Sequence, residues 1–390
     1  MSEKTKSFLK FASLDFLFWA YFASFIGYIT TYFLDCGMSS SMLSIVLAVY
    51  MMFAFGGAFF WGGLSDKKRS NKKVFIPELC LLTAVGILEF YLTRVNIWFA
   101  AVLHPLAGFL AAPLGTNLDA WMLKSFSRDA GTFGRARALG SAGFAVMMLL
   151  CGTLYNTFGF GLIPVVMGIL FVLILILALM TKENQTAEVK RVKSSGNIKD
   201  LFRIRPYVFL VIVLFLTGLA LSPINNLKII ILQSVGGDVS MLGLDSFIGV
   251  MVQALFIFIS GALKRIPVKM RMLVMTVMAM LMVTFVWLAV SPFMVILGTV
   301  MSNISYGFML PTMREITESN VPQELKNTAH SLTDAMFGSF AGVIALLYSG
   351  TLIDLYGAKF VAFLGVIIMI VPTAMCAIDY ARSLGSKKTA

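Results

Sequence analysis

Residues 119–137 read DAWMLKSFSRDAGTFGRAR, and the reading of this stretch decides the fold. An apolar run descends into it from about Trp98, carries Asn117 and Asp119, and ends at Lys124. Ser125 to Thr132 is polar and contains Arg128, after which Gly134-Arg135-Ala136-Arg137 opens a second apolar run that passes through Phe144. Two antiparallel membrane helices joined by a short polar turn fit this pattern. Asp119 and Arg137 lie equally far from Arg128 in the two directions, so the hairpin holds them at similar depth. An ionised side chain near mid-bilayer costs roughly 2.5–3.5 kcal/mol on insertion scales. The two are therefore expected to face each other and a water-filled passage.

Composition extends this reading to the whole chain. With 59% hydrophobic and 13% charged residues, a soluble domain is excluded. A hydrocarbon core of roughly 30 Å needs about 20 apolar residues as helix. Open sheet edges do not survive in lipid, and the runs lack the period-2 alternation of an outer-membrane strand, so the spans are helices. Twelve are predicted: Asp15 to Phe33, Met42 to Leu64, Val74 to Leu92, Trp98 to Leu123, Phe133 to Tyr155, Gly161 to Met180, Tyr207 to Leu232, Leu244 to Leu263, Met270 to Ala289, Phe293 to Thr317, Thr328 to Ile353 and Ala358 to Tyr380. The basic N-terminus, Met1 to Lys10, leads into a run too long for a signal peptide and without a small-residue cleavage site, so it reads as an uncleaved first span.

Net charge is +12, yet nucleic acid is not the expected partner. All of the 31 Lys and Arg residues except Arg94, Lys228 and Lys359 fall on one side of the predicted spans. That asymmetry orients the chain with both termini in the cytoplasm, as a multi-pass protein of the plasma (inner) membrane, its basic loops meeting anionic headgroups. Lys228 is read as snorkelling to the opposite surface. The four cysteines sit in or beside separate apolar runs without metal-ligand spacing, so neither a disulfide framework nor a metal site is indicated.

Thr181 to Arg205 is the one long polar connection, and it divides the chain near its middle. Residues 1–181 form an N-terminal six-helix bundle, 182–205 a cytoplasmic linker, and 206–390 a C-terminal six-helix bundle with a short tail. The halves echo each other weakly: Gly62-Gly63-Leu64-Ser65-Asp66 after span 2 corresponds to Gly261-Ala262-Leu263-Lys264-Arg265 after span 8. Weak internal symmetry around a central linker is the signature of a transporter with its site between the halves. Span 7 is interrupted at Ser222-Pro223-Ile224-Asn225-Asn226, a composition found where helices break beside a cavity. Toward the outer end of span 1, Tyr28, Thr30, Thr31 and Tyr32 suit either a solute-facing face or interfacial aromatics with helix–helix hydrogen bonds.

The loop after span 2 resembles the signature loop of the major facilitator superfamily, through Gly62, Leu64, Ser65, Asp66 and Lys67. Arg69 stands where that pattern has glycine, and the following basic residues, Lys72 and Lys73, are displaced by about one position. Gly350-Thr351-Leu352-Ile353-Asp354-Leu355-Tyr356-Gly357 is also typical of the superfamily. The resemblance covers essentially the whole chain. It implies an all-α membrane protein of twelve transmembrane helices in two pseudo-symmetric six-helix bundles. It also implies that Gly62, Asp66 and Lys67 form a cytoplasmic gate that favours the outward-facing state.

Within the superfamily, Gly134-Arg135-Ala136-Arg137 is similar to the same run in the oligosaccharide:proton symporters of the lactose permease type. Aligned on it without gaps, Asp119 falls on a sugar-binding glutamate of that branch and Phe144 on the aromatic against which the sugar stacks. The resemblance thus implies that Arg137 donates paired hydrogen bonds to hydroxyls, Asp119 accepts from them, and Phe144 covers an apolar ring face. Those symporters carry a proton-coupling histidine and glutamate on span 10 and a further glutamate on span 8. Here span 10 offers Met301, Asn303, Ile304 and Tyr306, and span 8 offers Gln253. The candidate substrate-binding set is therefore Asp119, Arg137, Phe144, Asn117, Tyr28, Gln253, Asn303 and Tyr306. Asp119, Asp334 and Glu89 are the proton-coupling candidates.

The leading functional expectation is secondary active transport: proton-coupled symport of a sugar or similarly hydroxylated solute, a nucleoside included, by alternating access. The alternative is proton-antiport efflux of drugs or amphipathic metabolites. The drug-antiporter branches usually carry a Gly-Pro motif on span 5, which has no proline here. No nucleotide loop, metal cluster or nucleophile–base pair is visible, so neither an enzyme nor an ATP-driven pump is expected. The expected partners are a small polar solute and the lipid bilayer, with no nucleic acid, no cofactor beyond the proton gradient, and a monomeric state.

Overall fold

The computed structural model describes residues 3–127, 129–183, 198–263 and 265–388, and among them no strand occurs. Among the described residues, 12 helices are long and apolar enough to cross a membrane. They are α1 (Glu3–Asp35), α2 (Ser40–Lys68), α3 (Lys72–Val95), α4 (Trp98–Ser125), α5 (Ala130–Phe158), α6 (Ile163–Met180), α7 (Arg205–Asn226), α8 (Val239–Phe258), α9 (Val268–Trp287), α10 (Pro292–Asn320), α11 (Gln323–Tyr356) and α12 (Ala358–Lys388). The protein is an all-α membrane protein. Arg128, Lys264 and residues 184–197 of the expected linker lie outside the described residues, and Ile198–Arg203 at the linker's end is a short 3-10 helix.

The chain divides into two compact units. One comprises Met1–Val189 with Asp238–Phe247, the other Lys190–Gly237 with Ile248–Ala390. In the first, α1 packs along α5, α2 along α4, and α3 against α4. In the second, α9 packs against α10 and α12, while α7 packs against α11 and α12. The core of this second unit includes Leu210, Leu214, Met275, Met309 and Met313.

Two boundaries differ from the sequence expectation for identifiable reasons. The first helix begins at Glu3, well before Asp15, because Phe11, Ala12 and Leu14 continue the apolar face and are buried. Phe11 meets the Trp121 ring edge-on at 5.3 Å. In α7 the helix runs through Pro223 and ends at Asn226. The Asn226 side chain closes the last turn by donating to the Ser222 carbonyl at 2.9 Å and hydroxyl at 3.0 Å.

Loop ends are held by specific caps. Ser39 accepts from the Met42 amide at the start of α2. Glu183, beyond α6, accepts from the Asn71 amide at 2.7 Å and from the Ser70 hydroxyl, placing a carboxylate at the positive end of α3. Lys72 answers by donating to the carbonyls of Leu179 and Thr181 at 3.0 and 2.7 Å. Asp129 caps α5; hydrogen bonds from the Thr132 hydroxyl and the Gly131 amide hold its carboxyl below the ordinary value.

Arg69, at the place where the superfamily loop has glycine, adopts φ 52° and ψ 26°. A side chain in this left-handed region costs roughly 1–2 kcal/mol, which glycine avoids. Arg69→Gly is therefore expected to raise the melting temperature of the detergent-purified protein. An unchanged or lower value would mean that contacts of the arginine side chain outweigh the backbone cost.

Candidate functional site

The site begins with a close helix contact. A Cβ on Gly143 would overlap the Phe16 carbonyl, and one on Gly140 would land on the Asp15 carboxylate. Small residues on α5 thus let the backbone of α1 approach, as they do in membrane helix pairs generally. Asp15 and Trp19 lie one turn apart on α1, so both face the α5 surface that carries Arg137.

Arg137 is the centre of the cluster. Its Nε lies 3.4 Å from Asp119 Oδ1 on α4, and its Nη1 lies 3.8 Å from Asp15 Oδ2 on α1. The Trp19 ring covers the guanidinium, 4.3 Å from ring centroid to Cζ, a cation–π contact. Phe144 stands edge-on to Trp19 at 6.4 Å and 70°. The side chains of Arg137 and Asp119 stay 30% and 34% exposed, so the pair is not sealed in dry packing. Asp15 is fully buried, its carboxylate turned to Arg137 and the Trp19 indole. The arrangement joins a planar fork of donors, an accepting carboxylate and an aromatic wall.

The structure therefore brings Asp119, Arg137 and Phe144 together and adds Asp15 and Trp19. The sequence held a signal for Asp15: an acid within the apolar run from Phe11 to Phe33. Reading it as the edge of a span concealed it.

The other predicted residues lie elsewhere. Asn117 is buried in a chain of hydrogen bonds, accepting from Ser65 Oγ at 2.9 Å and donating to Glu78 Oε2 at 2.9 Å. Asn117→Leu is expected to lower the melting temperature, because a buried carboxylate loses its hydrogen bond at a cost of about 1–3 kcal/mol. A normal melting temperature with lost uptake would instead place Asn117 at the solute. Tyr28 is also buried: its hydroxyl donates to the Met148 carbonyl, and its ring meets Tyr155 edge-on at 5.2 Å.

Of the proton-coupling candidates besides Asp119, Glu89 is buried with His104 Nδ1 at 3.0 Å, and the His104 ring stacks on Tyr50 at 4.5 Å. Asp334 is half-exposed and pairs with Arg314 at 3.2 Å. Asp245, which sequence reasoning passed over, is fully buried on α8. At the predicted gate, among the described residues none stands within 4 Å of where a Gly62 Cβ would be, and Asp66 and Lys67 are exposed at the end of α2.

In the second unit, α8 and α10 meet where a Cβ on Gly249 would crowd Asn303 and one on Gly307 would crowd Phe256. Asn303 donates to the Thr299 carbonyl of its own helix at 2.9 Å. Gln253 and Tyr306 are half-buried, the latter packed on the core of this unit. Lys228 does not follow the snorkelling expectation: its ammonium donates to Thr299 Oγ1 at 2.9 Å. A hydroxyl within reach on α10 offers it a partner inside the unit.

The MFS_1 like family matches residues 8–364. A maltose permease of Geobacillus stearothermophilus is 22% identical over 316 residues, 78% of this chain and 77% of the permease. Among solved structures, the nucleoside transporter NupG superposes with a TM-score of 0.81 at 17% identity, covering 96% of this chain and 98% of that one. A bacterial homologue of the lysosomal transporter Spinster gives 0.72 at 11% identity, covering 96% and 97%.

Proposed function

Because the chain belongs to the MFS_1 like family, and is thus a major facilitator superfamily transporter, we propose that it imports a sugar or similarly hydroxylated solute, a nucleoside included, in symport with protons. The observation that carries this reading is the Asp119–Arg137 pair, partly exposed within membrane spans and walled by Trp19 and Phe144. Exposed ions within a span are costly against hydrocarbon, which favours access by water and solute. The guanidinium fork suits two adjacent hydroxyls, Asp119 accepts from a third, and the aromatic edge suits an apolar ring face. The maltose permease and nucleoside transporter relatives support a polyhydroxylated solute.

In this reading the protein is a monomer in the plasma (inner) membrane with both termini in the cytoplasm. It works by alternating access and draws on the proton gradient, with no bound cofactor. The test is uptake of labelled maltose, uridine and a cationic dye by membrane vesicles containing the protein, with and without a pH gradient. Gradient-dependent accumulation of a neutral polar solute is the expected result. Gradient-dependent expulsion of the dye alone would replace this reading with proton-antiport efflux.

A further inference from the structure

Two carboxylates converge on one guanidinium. Asp119 shares its exposure with Arg137, whereas Asp15 sits behind them, fully buried. The Asp15 carboxylate faces the Arg137 guanidinium at 3.8 Å and the Trp19 indole N–H. The charged groups facing Asp15 are Arg137 from α5 and Asp119 from α4. Of the other helices packed on α1, α6 has no titratable side chain, and α3 meets α1 through the Tyr21–Thr83 hydroxyl pair, the Phe18–Phe75 ring contact and, toward the far end from Asp15, Arg94 over Tyr32. With both acids ionised, the cluster carries one uncompensated negative charge inside the membrane, which a single proton neutralises.

We propose that Asp15 is the proton-binding residue of the transport cycle, in a chain whose span 10 has no histidine and whose Glu315 there is paired with Arg271. This rests on the reading of Asp119 and Arg137 as the solute site. A proton from water adds to an Asp15 carboxylate oxygen and forms its O–H bond. Arg137 is then held by Asp119 alone and is free to turn its remaining donors to solute. When that proton leaves to water on the other side, the ionised Asp15 draws the guanidinium back across the 3.8 Å gap, and the solute loses its donors. Proton and solute binding are linked reciprocally, so each strengthens the other.

The test uses the full chain in detergent, with two readouts. The first needs no solute: infrared difference spectra between acid and alkaline buffer report the carbonyl band of protonated side-chain carboxyls. Asp15→Asn, isosteric and uncharged, is expected to remove a titrating component that Asp119→Asn keeps; an unchanged band in Asp15→Asn overturns the proposal. If that variant fails to fold, Gly140→Ala decides, because its Cβ lands on the carboxylate without removing it. A shifted titration midpoint supports the proposal, and an unshifted one overturns it.

The second readout is binding of maltose or uridine, whichever the vesicles accumulate. Above the titration midpoint the affinity of the wild type is expected to fall up to tenfold per pH unit, the slope of one linked proton, and that of Asp15→Asn to stay flat. Affinity that follows sodium at fixed pH and ignores pH would overturn the proposal in favour of a metal cation. If no solute binds, the solute reading fails by itself while the infrared result still judges Asp15.

Discussion

Arg137→Lys is expected to abolish solute uptake, by ~100-fold or more, in protein that still reaches the membrane folded; at 1.4 kcal/mol per tenfold this is about 2.8 kcal/mol. Lysine keeps the positive charge between Asp15 and Asp119, so the buried carboxylate retains a counter-ion. It loses the planar fork that meets two hydroxyls at once and the flat face that stacks under Trp19. Arg137→Ala would be less informative. It leaves two acids without a cation, one of them the fully buried Asp15, so folding and transport would fail together. Vesicle uptake normalised to membrane protein checks the prediction. Undiminished uptake in both Arg137→Lys and Asp119→Asn would take the pair out of the solute site.

The second large effect comes from a residue without a side chain. In Gly143→Ala the new methyl group would overlap the Phe16 carbonyl, a backbone atom that no rotamer change can move. Overpacking of this kind costs about 1–3 kcal/mol, more where the backbone must shift. Separating α1 from α5 also withdraws Asp15, the neighbour of Phe16, from Arg137. Both the melting temperature and uptake are expected to fall. Gly134→Ala is the control: it lies on the same helix, but among the described residues nothing stands within 4 Å of its Cβ. Helix propensity there favours alanine by about 1 kcal/mol, so the melting temperature should hold or rise slightly. Equal losses in the two variants would show that close approach at Gly143 is not the cause.

The Asp119–Arg137 pair was legible because a hairpin has simple geometry: residues equally far from its turn return to similar depth. Phe144 followed from the run after Gly134, by resemblance. Asp15 was not legible as a partner of Arg137, since its approach depends on Gly140 and Gly143 admitting one face of α1. Asn117 misled for a related reason. A polar residue one turn from neither end of a span looks solute-facing until Glu78 and Ser65, distant in sequence, are found against it. Lys228 and Asp334 found Thr299 and Arg314 in the same way.

By itself the sequence determined that the chain crosses a membrane as helices, how many times it does so, and to which family it belongs. Those properties reside in runs of apolar residues and short local motifs, each readable without its neighbours. Only the tertiary structure decided which acid stands behind Arg137, which aromatic lies over it, and which polar side chains are engaged in packing. Facing is set by the rotation of one helix against another, and that rotation depends on every small residue along their shared line of contact.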